Sequence, residues 1–298
     1  MNKLVLIDGN AILHRAFHAI PPLTTPNNEP INAVYGLVSM LLRVIQELRP
    51  THIAVAFDEK EKTFRQEALP TYQAQRPPMA NELSSQFAKA REFLKAAKIP
   101  VYSKSGYEAD DVIGTISNKI DNVVIVTGDR DILQLVDDKR NIKLFMPVGG
   151  LVNGKLFGEA ETLERMGVGP KLIPDYKGLV GDASDNYFGV PGIGPKTAIT
   201  LLTKFGSFKK IYEHLQELPE KQKEKLVNGK DGAELSYKLA TIIRDVPVEF
   251  DFEDMEKWKL DSQEVLDLFK TFGFNTLTKR IQEVGKKIEN ERQGNLFQ

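Results

Sequence analysis

Three short apolar runs, each of strand length and each ending in an acidic residue, constrain this chain more than any other feature. Leu4-Val5-Leu6-Ile7 runs into Asp8, Ile53-Ala54-Val55-Ala56-Phe57 into Asp58, and Val123-Val124-Ile125-Val126 into Thr127-Gly128-Asp129. Unbroken aliphatic and β-branched runs suit strands buried on both faces, because a strand with one wet face alternates polar and apolar positions. Between the runs the spacing turns helical: Val34, Leu37, Val38, Leu41, Leu42 and Ile45 recur at steps of one, three and four. Strands alternating with helices predict an α/β fold, with a mainly parallel central sheet flanked by helices. Ligands of such sheets bind beyond the carboxyl ends of the strands, and all three acids fall there.

The remaining chain divides by character. Residues 60–98 are rich in charge and carry Pro70, Pro77 and Pro78, which predicts helical pieces on a long excursion from the sheet. Beyond about residue 172 the pattern is helical with polar turns, and residues 286–298 are polar. The expected organisation is an α/β core over 1–171 that includes the excursion, a helical region over 172–285, and a flexible tail over 286–298. Cysteine is absent from the 298 residues, which excludes a disulfide framework and thiolate metal sites and fits a reducing cytoplasm. The first apolar run is too short for a signal peptide, and no stretch has the length of a membrane span, so a cytoplasmic protein is expected.

Beside Asp8 and Asp58, acids cluster at three places: Glu108, Asp110 and Asp111; Asp129 and Asp131; Asp182 and Asp185. Glu108 to Asp111 precede the apolar positions Val112, Ile113, Ile116 and Ile120, so they belong at a helix N-terminus. Asp182 and Asp185 are three apart, which on a helical turn points both carboxylates one way. Any one of these acids alone suits a turn or a helix cap. Nine together at one sheet edge would repel unless cations lay among them. An all-oxygen donor set without histidine or cysteine suits Mg²⁺ rather than zinc. Two such ions can stabilise both the attacking and the leaving oxygen of a phosphodiester displacement. The formal net charge of −1 lacks the basic excess of a typical nucleic-acid binder, yet setting these nine acids aside leaves the rest of the surface positive.

A second motif is Gly189-Val190-Pro191-Gly192-Ile193-Gly194-Pro195-Lys196-Thr197-Ala198. Pro195 between the last glycine and Lys-Thr rules out a phosphate-cradling P-loop, and no strand precedes it as a dinucleotide fingerprint requires. A helix–hairpin–helix suits it better: Gly192 and Gly194 make the tight turn, and backbone N–H groups at the next helix start grip a phosphate, with Lys196 and Thr197 beside them.

With these blocks the chain resembles the 5′-nuclease domain of bacterial DNA polymerase I and, more broadly, the flap endonuclease family. The resemblance runs from Leu4 to about Leu277. It rests on Ile7-Asp8-Gly9, Arg15-Ala16-Phe17-His18, Ala33-Val34-Tyr35-Gly36, Phe57-Asp58 and Gly189 to Ala198, together with the clusters at 106–111, 127–131 and 181–186. It implies a nuclease core of the PIN-like kind whose excursion forms a helical arch over a single-stranded 5′ end. It implies that Asp8, Asp58, Glu108, Asp110, Asp111 and Asp129 serve mainly a first Mg²⁺, and Asp131, Asp182 and Asp185 a second, with Mn²⁺ able to substitute. Arg76, Tyr72 and Arg15 would stand at the reacting phosphate. Phe17 and Arg65 would contact DNA, as would Gly192, Gly194, Lys196 and Thr197 of the hairpin, where a K⁺ ion is a further expectation. The implied activity is metal-dependent 5′-3′ exonuclease and 5′-flap endonuclease action on flaps, nicks, single-stranded 5′ ends and RNA primers by a monomer.

The chain departs from the family pattern at two points. Gln73 stands where a lysine usually follows Tyr72, and Tyr187-Phe188 replaces an aliphatic-proline pair. The first departure keeps a non-cleaving binder of branched DNA as the alternative. An aspartyl phosphatase is disfavoured, since Asn10 occupies the place of its second acid. Gln293-Gly294-Asn295-Leu296-Phe297 fits a sliding-clamp docking pattern, an apolar pair on a polar tail.

Overall fold

A computed structural model describes residues 2–147 and 154–295, with the side chains of 289 and 291–295 excepted. Six strands form one sheet in the order β3-β2-β1-β4-β5-β6. They are β1 (Leu4–Asp8), β2 (His52–Ala56), β3 (Val101–Tyr102), β4 (Val123–Val126), β5 (Ile142–Pro147) and β6 (Gly154–Phe157). The first five run parallel, and β6 alone pairs antiparallel, with Leu144 opposite Phe157. The chain builds outward from β1 to β2 and β3, then crosses to the other side of β1 for β4. That reversal makes a crevice beyond the carboxyl ends of β1 and β4, the place where doubly wound sheets bind ligands. Register delivers the acids to it: Asp8 pairs with Ala56 and Ile7 with Val126, so Asp58 and Asp129 sit just past the last paired residues.

Strand period 2 divides the core. Val5 and Ile7 face one side with the helices Gly9–Ala19, Asn32–Leu48 and Asn81–Ala96. Leu4 and Leu6 face the other, with Val112, Ile113 and Ile116 of the helix Ala109–Lys119. This arrangement bears on three of the expected boundaries. The helix Asn81–Ala96 buries Leu83, Ala90, Phe93 and Leu94 against the first face, so much of the excursion is core rather than arch. The helices Gln263–Phe272 and Asn275–Asn295 return to that same face through Val265, Phe269, Leu277 and Ile281. Residues 172–285 are therefore not one helical unit. The last helix also runs on through the expected tail as far as Asn295. Leu296 and Phe297 of the clamp pattern lie outside the described residues.

Candidate metal centre

The acids converge because each ends or begins an element at the crevice. Asp8 ends β1 and caps the next helix, accepting from Ala11 N at 2.9 Å through Oδ1 while Thr127 Oγ1 donates to its Oδ2 at 2.7 Å. Gly9 follows because the backbone runs against Phe57: a Cβ there would lie 2.5 Å from the ring. Asp58 is held from two sides, by Asn10 Nδ2 and by Ala109 N, each at 2.7 Å. Glu108 is the N-cap of the helix Ala109–Lys119, and Asp110 lies in its first turn. Asp131 starts the short 3-10 helix Asp131–Leu135, and its N–H donates to Asp129 Oδ1 at 2.8 Å. These residues line a cleft of about 790 Å³ that His14, Arg15, Phe17 and Arg76 also line.

Asp182 and Asp185 arrive differently from expectation. They sit on a tight turn, not a helical one, closed by paired backbone hydrogen bonds between Asp182 and Tyr187, with Asn186 at φ 59°. The turn still unites them: oxygens of Asp131, Asp182 and Asp185 lie within 4.8 Å of one another. Lys177, a residue the sequence did not single out, reaches this trio from the helix Ile173–Val180. Its Nζ donates to Asp131 and, at 2.5 Å, to Asp182. The available signal was a lysine five residues before Asp182 in a segment with four aliphatic or proline neighbours, Ile173, Pro174, Leu179 and Val180. Burial alone would lower its pKa, but Asp131, Tyr187 and Asp182 reverse this and hold the ammonium charged.

Two expected roles are corrected. Arg65 does not face DNA, because its side chain is only 3% exposed. Its guanidinium grips Asp111 with two bonds of 2.7 and 2.9 Å and donates to the carbonyls of Leu239 and Thr241. Asp111 is likewise spent: fully buried, it also accepts from Glu108 N and Ile243 N, leaving no ready lone pair for an ion. Tyr72, buried, donates to Asp185 Oδ2 at 3.2 Å and lies 3.5 Å from Glu108 Oε2, so it braces two acids. Arg76, half-exposed, donates to Asp185 Oδ1 at 2.5 Å. Gln73 adopts φ 56° and donates its N–H to the Asp185 carbonyl, tying its own segment to the acidic turn.

The hairpin lies apart from the cleft. Pro191 and Gly192, at φ 77°, occupy the centre of a turn closed by Ile193 N on Val190 O, after which Gly194 caps the helix Pro195–Phe205. Lys196 is exposed and Thr197 half-buried in that helix's first turn. Gly189 cannot carry a side chain, since its Cβ would meet the Leu179 carbonyl at 2.3 Å.

Whether this donor set fits divalent cations is answered by its electrostatics. Burial first, then neighbouring acids, pushes Asp8 and Glu108 up to about 7 and Asp131 to about 6, and raises Asp110 and Asp58. Oxygen-only ligands with such repulsion, and an ammonium already drawn between two of them, Asp131 and Asp182, fit hard divalent ions. Each raised group holds its proton more tightly folded than unfolded, so its contribution to stability is full below about pH 4 and is lost as the pH rises through 6 to 7. In a chelator the melting temperature should therefore fall by several degrees from pH 5 to pH 8, and Mg²⁺ should restore more at pH 8 than at pH 5. A melting temperature indifferent to pH and to Mg²⁺ would contradict the repulsion.

The fold is a mostly parallel sheet with a ring of acids at its switch point, joined to a helical region that carries the glycine turn at 192. The chain belongs to the 5′-3′ exonuclease family: the family's N-terminal resolvase-like domain matches residues 3–167 and its C-terminal SAM fold matches 168–263. It is 36% identical to a 5′-3′ exonuclease of Aquifex aeolicus, over the full length of both. It is 41% identical to DNA polymerase I of Caldicellulosiruptor bescii and 39% to that of Bacillus subtilis, over 94% and 97% of this chain. It spans about a third of the length of those polymerases (33% of each). The fold matches the bacteriophage T5 D15 flap endonuclease, solved with DNA and metal ions, at TM-score 0.65 and 21% identity over 97% of this chain and all of that one. It also matches flap endonuclease-1 of Methanococcus jannaschii at TM-score 0.62 and 17% identity, over 97% and 94%.

Proposed function

We propose that this protein is a divalent-metal-dependent phosphodiesterase that cuts DNA bearing 5′ flaps, nicks or single-stranded 5′ ends, as a 5′-3′ exonuclease and flap endonuclease in replication and repair. The carrying observation is that carboxylates from separate chain segments, Asp8, Asp58, Glu108 to Asp110, Asp129 to Asp131 and Asp185, converge on one cleft. Mg²⁺ suits this set, with Mn²⁺ as substitute: Asp8, Asp58, Glu108, Asp110 and Asp129 would hold one ion, and Asp131, Asp182 and Asp185 a second. Two bound ions would supply an activated water and stabilise charge on the attacking and leaving oxygens.

The chain's own residues do the rest. Arg76 projects a partly exposed guanidinium beside Asp185, suited to grip the phosphate under attack. Arg15 and Phe17, which also line the cleft, suit a phosphate and an unstacked base of a single strand. Lys196 and the hairpin N–H groups would hold the duplex away from the cut. A K⁺ ion at the hairpin would compete with Lys225, whose Nζ already donates to the Gly192 carbonyl at 3.1 Å. Removal of RNA primers, docking on a sliding clamp through residues 293–297, and action as a cytoplasmic monomer belong to the same proposal. Among the described residues no helix is long and apolar enough to cross a membrane.

The test is cleavage of a labelled 5′-flap duplex. Cutting near the junction with Mg²⁺, abolished by chelation, is the expected result. Tight binding of the flap with no cutting under Mg²⁺ or Mn²⁺ would favour a non-cleaving binder, with the uncharged Gln73 in the cleft as its cause.

A further inference from the structure

Tyr187 closes the turn that presents Asp182 and Asp185, and its position poses a physical problem. The residue is only 2% exposed, and its hydroxyl has no hydrogen-bond partner. A buried hydroxyl without a partner is costly, and native interiors satisfy such groups with protein, water or ion-bound water. Tyr187 closes the turn that carries Asp182 and Asp185, two of the three acids that meet within 4.8 Å, and its ring stacks on Tyr72, which itself donates to Asp185. Burial first, then the charges of Lys177, Asp131, Asp182 and Asp185, act on the phenol. Its placement is rigid. The ring stacks on Tyr72 at 6.3 Å and 17°, and both backbone bonds to Asp182 fix the turn. Tyr72 spends its own hydroxyl on Asp185, whereas the Tyr187 hydroxyl beside it is buried and without a partner.

We infer that Tyr187 is a positioning residue for the second ion: its hydroxyl donates to a water in the hydration shell of a divalent cation held by Asp131, Asp182 and Asp185. This role rests on the proposed two-ion centre and goes beyond it, because carboxylates alone do not orient the shell. Divalent ions of this kind keep several waters, and a fixed donor behind the ligands selects how those waters lie. The same hydroxyl explains why an aromatic residue is tolerated in this turn. A phenylalanine would fill the space equally but leave the shell without that bond.

The test is Tyr187→Phe, which removes one oxygen and keeps the ring. Two measurements that do not depend on cutting are expected to move in opposite directions. In a chelator the variant should melt higher than the wild type, because an unpaired buried oxygen is gone. In calorimetric titration with Mn²⁺ alone, one of two sites should weaken by about tenfold, the size of effect that outer-shell partners exert, while the other is unchanged. A lower melting temperature in chelator would show that the hydroxyl has a protein partner, and unchanged Mn²⁺ affinity at both sites would show that no shell water uses it. Either result overturns the inference. Absence of two-site Mn²⁺ binding in the wild type would instead remove the two-ion centre itself, and Tyr187's role with it. Tyr187→Leu adds a check: it should also lose the tenfold, whereas a purely steric role would separate it from Tyr187→Phe.

Discussion

Asp131→Ala should reduce Mg²⁺-dependent flap cleavage by about 10³-fold or more, while affinity for the same flap in Ca²⁺ changes little. The size of the effect follows from the loss of a preorganised electrostatic group aimed at developing charge, which alone is worth about 10²- to 10³-fold. Asp131 does more than one such group. Its carboxylate oxygen completes the trio with Asp182 and Asp185. Its removal also leaves Lys177 with one carboxylate instead of two, so the ammonium shifts toward Asp182 and opposes an ion there. Single-turnover cleavage and anisotropy on one oligonucleotide separate the two effects. Cleavage within tenfold of wild type would remove Asp131 from the centre, and a parallel collapse of affinity would point to misfolding around Lys177.

The second large effect concerns stability. Arg65→Ala should cost about 3–5 kcal/mol, because it strands a buried carboxylate without its charge partner. Asp111 is fully buried, and four of the Arg65 contacts, two to Asp111 and one each to the Leu239 and Thr241 carbonyls, disappear together. At about 2–4 °C per kcal/mol for a chain of this order of size, the melting temperature should drop by roughly 10 °C. Arg65→Lys should recover only part, since an ammonium cannot make the paired bonds. Replacing Arg65 and Asp111 together by leucine should lie closer to wild type than either single change, since neither charge is then left alone. A melting temperature within 2 °C of wild type is the outcome that refutes a buried strut.

Much of the site is legible in the order of the residues alone. Asp8, Asp58 and Asp129 follow apolar runs, and a parallel strand delivers whatever follows it to one edge, so local pattern suffices. Arg65 shows where pattern fails. An arginine in a polar, proline-bearing stretch has the local look of a surface charge, and only its pairing with Asp111, 46 residues on, and with carbonyls more than 170 residues away buries it. Asp111 fails for the same reason from the other side. Nothing in the acid cluster at 108–111 tells which carboxylate turns inward to the helix cap and which outward to the cleft. The boundaries suffer likewise: the helix Gln263–Phe272 has the amphipathic look of its neighbours, yet it belongs to the face lined by Val5 and Ile7.

By itself, then, the sequence determined the parallel α/β core, the strand-end acids, the glycine turn at 192 and the all-oxygen donor chemistry. Each depends on residue type and short-range spacing, which local sterics and burial translate directly into geometry. Only the tertiary structure decided which charges face each other. It paired Arg65 with Asp111, brought Lys177 to Asp131 and Asp182, and buried the Tyr187 hydroxyl without a partner. Such contacts join segments far apart in the chain, and the low polarity around them, not their own identity, sets how strongly they act.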